Sequence, residues 1–296
     1  MRIGWVGVGK MGGQLSRRIL AEGYELFIYD IQSAQMEPLV ELGAHACASS
    51  SEAAEKADVI FSMVPNGRIL KSAVFGKDGI LEGISAGKIF LDISTISVED
   101  SAEIARAIGE KGAFYLPCPV SGSTVQAQAG TLTVMASGNE EAYRKVEPVL
   151  ALFGQKRYYM GPAEEARVMK LVIQSMVGAQ FQSYAEALVL GEKAGVDWNT
   201  MIEILSECSA ASTNIRNKVA AFQTRDFSPM STVHVQLKDM NLVMDLARQY
   251  NVPVPVTAVA TQYYNAMVAS GRGDLDYAAI LLVNEENCGI HWPEDK

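Results

Sequence analysis

The sequence predicts an α/β domain, a parallel sheet wound with helices on both faces, followed by an all-helical domain. Three observations carry that expectation. Short apolar runs alternate with amphipathic stretches through about the first 160 residues. Gly161-Pro162 then breaks the alternation. Beyond it, apolar residues recur at helical spacing over 163–194, interrupted only by Gly178 and Gly191, and no convincing strand follows. A length of 296 residues suits two domains, placed at 1–161 and 162–296.

Each element has its own signal. Residues 3–8 form an apolar run ending in glycines, and Met11, Leu15 and Ile19 share one face of a helix over 10–22 that Gly23 ends. A strand at 25–29 leads to a helix over 33–42, stopped by Gly43. Ser49 and Glu52 form a capping-box pattern. Strands follow at 59–64, halted by Pro65, and at 88–93. Ser97 and Asp100 cap a helix over 98–111; strands at 114–116 and 131–136 precede a helix over 140–153. After the long helix, Asp197 caps a helix over 200–207, and 232–250 and 256–270 are helical. Asp274 or Asp276 starts a last helix through 283, and the tail at 287–296 is expected to be loose.

Composition narrows the class of function. Lys and Arg total 25 against 34 Asp and Glu, a net charge of −9, with 49% hydrophobic and 20% charged residues. Such a chain can bury a large core without staples. Its acidity argues against nucleic acid and against an anionic membrane surface, both of which need clustered cations. Cys47, Cys118, Cys208 and Cys288 are far apart, and His45, His234 and His291 lie near neither each other nor a cysteine. Neither a zinc spacing nor a small disulfide framework fits, so no metal is expected. Free thiols, the lack of a signal-peptide pattern and the lack of a long uncharged apolar stretch predict a cytoplasmic protein.

Gly7, Gly9 and Gly12 make G-x-G-x-x-G between an expected strand and an expected helix, the context that gives this triplet meaning. Gly7 permits the tight turn, Gly9 lets a pyrophosphate approach the backbone, and Gly12 lets helix and strand pack closely. The helix start, with Val8, Lys10 and Met11, offers N–H groups and partial positive charge to phosphates. The first domain is therefore expected to be Rossmann-type. Asp30, at the end of the second strand, can accept from ribose hydroxyls and would repel a 2′-phosphate; Ile31 and Gln32 offer no cation to hold one. NAD is favoured over NADP. Further cofactor contacts are expected at strand ends: Val64, Pro65 and Asn66 after one strand, Ser94 and Thr95 after another.

The opening GVGKMGGQLSRRILAEGYELFIYD resembles the β-hydroxyacid dehydrogenases, the family of 3-hydroxyisobutyrate dehydrogenase and tartronate semialdehyde reductase. Further segments match in the family's order. PVSGSTVQAQAGTLT at 119–133 resembles its substrate loop, 161–178 its catalytic-lysine helix, HVQLKDMNLVMDLA at 234–247 its K-D segment, and GRGDLDYAAI at 271–280 its C-terminal signature. The resemblance spans nearly the whole chain. It implies that Lys170 is the catalytic proton donor and acceptor, that Ser121, Gly122 and Ser123 cradle the substrate carboxylate, and that Thr95 and Lys238 lie toward the nicotinamide. Asp239 is expected beside the substrate loop or Lys170.

Two positions depart from the family pattern. Gln174, one helical turn after Lys170, stands where Asn is common, and Pro117 stands where Asp is usual. Both put the substrate's identity in question. Imine-reducing relatives commonly replace the lysine, so Lys170 counts against that activity. Cys118, Tyr263-Tyr264, Met240 and Met244 take the plain reading of core residues, and no G-x-S-x-G supports a hydrolase triad.

The leading expectation is hydride transfer between a small 3-hydroxyisobutyrate-like β-hydroxy acid and NAD. A semialdehyde reductase on a sulfonate or dicarboxylate is the alternative, and a non-catalytic NAD-binding protein the third. A carboxylate-bearing small molecule is the expected partner, and the long apolar helix suggests a homodimer or homotetramer.

Overall fold

The computed structural model describes residues 1–292; the charged end of the tail, Pro293–Lys296, lies outside the described residues. The chain forms two compact units, Met1–Lys170 and Leu171 onward.

Six parallel strands build the main sheet of the first unit: β1 (Ile3–Val6), β2 (Leu26–Tyr29), β3 (His45–Ala46), β4 (Val59–Ser62), β5 (Ile89–Asp92) and β6 (Phe114–Pro117). Their order is β3-β2-β1-β4-β5-β6. The reversal between β1 and β4 creates the switch point at which such sheets bind ligands beyond their carboxyl ends. A smaller sheet joins β7 (Val120–Ser121), β8 (Thr133–Ala136) and β9 (Lys156–Tyr159), with β7 antiparallel and β9 parallel to β8. The helices of this unit are α1 (Lys10–Ala21), α2 (Glu37–Val40), α3 (Ser50–Lys56), α4 (Gly67–Phe75), α5 (Ile80–Gly83), α6 (Val98–Glu110), α7 (Thr124–Ala129) and α8 (Glu140–Leu150).

Strand periodicity divides the core. Ile3, Trp5, Val59, Phe61, Ile89 and Leu91 pack on one side with Leu15 and Ile19 of α1. The alternate residues Val6, Ile60 and Phe90 pack with Leu70, Ile104 and Ile108. Trp5 stacks on Phe61 with ring centroids 5.1 Å apart, and Phe153 meets both rings edge-on. Both faces are thus buried, as continuous apolar strands require.

Several elements differ from the sequence expectation. The helix expected over 33–42 is split into a 3-10 turn, Ser33–Gln35, and α2. Pro38 explains the break, because it lacks an N–H and fits only the first turn of a helix. Ser49 caps α3, accepting from Glu52 N at 3.0 Å, but the Glu52 carboxylate accepts from Ala48 N rather than Ser49 N. Helices α4, α5 and α7 and strands β3, β7 and β9 were not expected.

The long helix is α9 (Glu165–Lys193), which starts in the first unit and continues into the second. The second unit adds α10 (Trp198–Glu207), α11 (Thr213–Arg216), α12 (Val219–Thr224), α13 (Val233–Gln249), α14 (Pro255–Ala269), a 3-10 turn Tyr277–Ala279 and α15 (Ile280–Asn287). Asp197 and Thr232 cap α10 and α13. Asp276, not Asp274, begins the last helical segment, accepting from Ala278 N at 3.1 Å; that segment runs past Val283. Phe181, Tyr184, Leu188, Phe222, Tyr264 and Ile280 form its core. No described helix is long and apolar enough to cross a membrane.

One buried ion pair anchors this unit. Lys218 Nζ lies 2.7 Å from Asp276 Oδ2, and both residues are buried. The same carboxylate accepts from Met230 N at 3.0 Å. Lys218→Met leaves that carboxylate buried without its cation, which costs about 3–5 kcal/mol. Urea denaturation followed by circular dichroism measures the loss; a change below about 1 kcal/mol would exclude the pair as an anchor.

Candidate active site

The glycine loop between β1 and α1 is shaped by three different constraints. Gly7 has φ +89°, and a Cβ there would lie 2.4 Å from Met63 O. At Gly12 a Cβ would lie 2.2 Å from Gly7 O and 2.9 Å from Trp5 Nε1. The Trp5 indole N–H donates to Gly7 O at 2.9 Å, so the core aromatic cluster fixes the turn. Gly9 differs: a Cβ there would meet nothing within 4 Å. No neighbouring atom requires Gly9 to be small, and the backbone there is open to close approach.

Gly9 is also the N-cap of α1, which has no side-chain cap and no acid in its first turn; Lys10 and Met11 open the helix. Its leading N–H groups and positive dipole end face no competing carboxylate of that turn, the condition for holding a pyrophosphate. Asp30, just past β2, ties the loop down. Its Oδ2 accepts from Val8 N and its Oδ1 from Gln32 N, both at 2.9 Å. Each oxygen keeps a further lone pair for a ribose hydroxyl. These residues fit a dinucleotide.

The next strand ends gather beside this loop. Val64 N donates to Ser94 Oγ at 2.9 Å, joining the turns after β4 and β5 and bringing Val64 together with the Ser94–Thr95 turn. Pro65 is exposed, and Asn66 caps α4 through Ile69 N at 3.0 Å. Asn66 therefore has a structural role independent of any ligand.

Ser121 ends β7, and Gly122 follows at φ +135°. Ser123 caps α7: its N–H donates to Gln126 Oε1 at 2.8 Å, its hydroxyl donates to the same oxygen, and Val125 N donates back to the hydroxyl. Ser123 thus holds the loop's shape. Pro117 ends β6, and its carbonyl accepts from Ser137 N at 3.0 Å. Cys118 is fully buried, and burial pushes its thiol up to about 12, where it is inert at neutral pH.

Lys170 lies on the second turn of α9, half-buried, and is the last residue of the first unit. The sequence did not single out the group that anchors this turn. Arg167 is fully buried, and its Nη2 lies 2.8 Å from Asp92 Oδ2, the last residue of β5. It also donates to Ser94 O, to Tyr115 OH at 3.2 Å and to Ser101 Oγ at 3.4 Å. Asp92 Oδ1 accepts from Ser62 Oγ, at the end of β4, at 2.7 Å. Burial pushes the Tyr115 phenol well up, so it stays neutral. The available signal was Asp92 itself, a charge inside the apolar run IFLDIS; its partner lies too far along the chain to read.

In the second unit, Gln174, Lys238 and Asp239 come together. Gln174 Nε2 donates to Asp239 Oδ2, and Lys238 Nζ lies 2.7 Å from Asp239 Oδ1. Gln174 and Asp239 are buried, and Lys238 is partly exposed.

Comparison with known proteins gives this arrangement a family. Residues 2–161 match the model for the NAD-binding domain of 6-phosphogluconate dehydrogenase. Residues 165–283 match the model described as NAD-binding of NADP-dependent 3-hydroxyisobutyrate dehydrogenase. The chain belongs to the β-hydroxyacid dehydrogenase family. This dehydrogenase is 34% identical to 2-(hydroxymethyl)glutarate dehydrogenase of Eubacterium barkeri, covering 98% of this chain and 97% of that one. It is 30% identical to 3-sulfolactaldehyde reductase of Escherichia coli, covering 94% of each. A crystal structure of 3-hydroxyisobutyrate dehydrogenase from Salmonella typhimurium superposes with a TM-score of 0.89 at 29% identity, covering 96% of this chain and 99% of that one. The dehydrogenase is therefore an NAD(P)-dependent oxidoreductase acting on a CH–OH group.

The glycines separate stability from binding. Gly12→Ala drives a methyl into the Gly7 carbonyl and costs about 1–3 kcal/mol or more. Gly9→Ala leaves the thermal midpoint nearly unchanged but weakens NADH binding about tenfold or more, ~1.4 kcal/mol. Calorimetry and NADH fluorescence titration read the two effects. Unaltered NADH affinity in Gly9→Ala would remove the loop from the cofactor site.

Proposed function

We propose that this dehydrogenase exchanges a hydride between NAD and the carbinol carbon of a small β-hydroxy acid of the 3-hydroxyisobutyrate kind, with Lys170 carrying the proton. The observation that carries this reading is the Arg167 network. It anchors the turn of α9 before Lys170 to the carboxyl ends of β4 and β5, the edge at which an open parallel sheet takes its ligand. NAD supplies the nicotinamide ring that accepts the hydride in oxidation and returns it in reduction. Lys170 accepts the hydroxyl proton in oxidation and donates it in reduction. Ser121 and Gly122 take the substrate carboxylate, in the loop that Ser123 holds in shape. Asp30 sets the preference for NAD, because its carboxylate opposes a 2′-phosphate.

A second reading concerns the substrate's tail. 2-(Hydroxymethyl)glutarate has the hydroxymethyl-acid head of 3-hydroxyisobutyrate, with the methyl extended into a second carboxylate arm. The relative that acts on it shares 34% identity with this chain, and another relative is named for a sulfonate-bearing aldehyde. Gln174 favours this reading. Its amide is longer than the family's Asn by a methylene, donates to Asp239 and follows Lys170 by one helical turn. A dicarboxylate or sulfonate semialdehyde is then reduced by the same chemistry.

Lys170→Ala is expected to lower kcat about 100- to 10,000-fold while NADH titration stays as in the wild type; retained turnover would overturn the proton role. A panel of 3-hydroxyisobutyrate, 2-(hydroxymethyl)glutarate and succinic semialdehyde, run in both directions, separates the two readings. Strict preference for 3-hydroxyisobutyrate rejects the second. NADH is expected to outperform NADPH about tenfold or more in kcat/KM, with Asp30→Asn narrowing the gap; equal use of both would remove Asp30 as the discriminator.

A further inference from the structure

Arg167 has features that a packing residue does not need. It is fully buried, yet its one guanidinium is distributed over four partners. These are the Asp92 carboxylate at the end of β5, the Ser94 carbonyl in the following turn, Ser101 on α6 and Tyr115 on β6. A buried ion pair replaced as a whole by well-packed hydrophobic residues often loses no stability, so stability alone does not account for keeping the pair, although losing Arg167 alone would leave Asp92 buried and uncompensated. Its distinctive property is geometry. A planar fork with fixed donor directions admits one orientation, which a flexible ammonium cannot enforce.

Position along the helix gives that geometry a target. Arg167 precedes Lys170 by three residues, so the two side chains emerge from neighbouring places on one face of α9. The carbonyl it grips belongs to Ser94, whose hydroxyl accepts from Val64 N and whose neighbour is Thr95. Slack in the clamp would therefore move the lysine's turn relative to the turn at the end of β5. The glycine loop and Asp30 do not bond to Arg167; they are held by their own contacts.

We propose that Arg167 is a positioning residue: by clamping the first turn of α9 to Asp92 and to the Ser94–Thr95 turn, it fixes where Lys170 delivers and collects its proton. The proposal rests on Lys170 as the proton carrier. A misplacement of about 1 Å can cost about 100-fold in rate without weakening ground-state binding, so the expected signature is a split between kcat and KM.

The test is Arg167→Lys, which keeps the charge and loses the fork, assayed by NADH-dependent reduction of succinic semialdehyde beside Lys170→Ala. The expected result is a kcat lowered about 10- to 100-fold, with KM and NADH Kd each within about threefold of wild type. Wild-type kcat overturns the proposal. So does a parallel fall of kcat, NADH affinity and thermal midpoint, because that pattern marks a merely structural role. If Arg167→Lys does not fold, Tyr115→Phe decides. It deletes one acceptor of the guanidinium and keeps the ring, and it is expected to lower kcat about threefold at unchanged NADH affinity; wild-type kcat there overturns the proposal. Turnover that survives in Lys170→Ala removes the proton-carrier assignment itself. Turnover lost in Lys170→Ala but intact in the folded clamp variants removes only the positioning role.

Discussion

A guanidinium with no exposed surface must find its acceptors inside the protein, and that requirement organises the carboxyl edge of the main sheet. Arg167 and Asp92 are both fully buried, so neither charge is tolerable alone. The pair draws Ser62 at the end of β4, Ser94 after β5, Ser101 of α6 and Tyr115 of β6 into one connected set. Three adjacent strands, one flanking helix and the first turn of α9 thereby share one frame. Satisfied networks of this kind specify a unique arrangement because a half-made one is so costly.

The glycine loop follows a different logic. It is held by steric necessity at Gly7 and Gly12, by the Trp5 indole, and by the Asp30 carboxylate. Only Gly9 is small without an internal reason. Of three glycines in one motif, two are required by the fold and one is left open to approach, a distinction that the letters G-x-G-x-x-G do not make. In the second unit, Asp239 collects an amide and an ammonium, Gln174 and Lys238. The acid of the K-D segment is thus the point at which two other candidate site residues meet.

What could be read from the sequence was mostly local. Strands β1, β2, β4, β5 and β6 of the main sheet, with α1, α6 and α9, announce themselves by their apolar patterns, and the caps at Ser49, Ser97 and Asp197 by residue type. The two-residue strands β3 and β7 are too short to show a period, and β9, KRYY, has no apolar face. Helix α4 begins at a residue that serves two readings: Asn66 is of a type that both contacts ligands at strand ends and caps helices, and its bond to Ile69 N shows the second use. The break at Pro38 was equally visible. The Arg167–Asp92 pair was not, since 75 residues separate its members and no spacing rule links them. Likewise the loop residues 121–123 were legible as a group, but the division between Ser123 as cap and its neighbours emerged only from hydrogen bonds.

Asp30 has two duties that cannot be separated. Its carboxylate pins the Val8 and Gln32 amides before any dinucleotide arrives, so the loop needs little further ordering on binding. The same negative charge is what would discriminate at the ribose. Redesign toward a phosphorylated cofactor therefore meets a coupled problem. Neutralising the charge also slackens the preformed loop, and a cation added nearby would be attracted to the acid before it met any phosphate. With Asp30 as the proposed discriminator, charge and loop rigidity are held by one carboxylate, and evolution or an engineer would have to restore that rigidity by other bonds while changing the sign of the site.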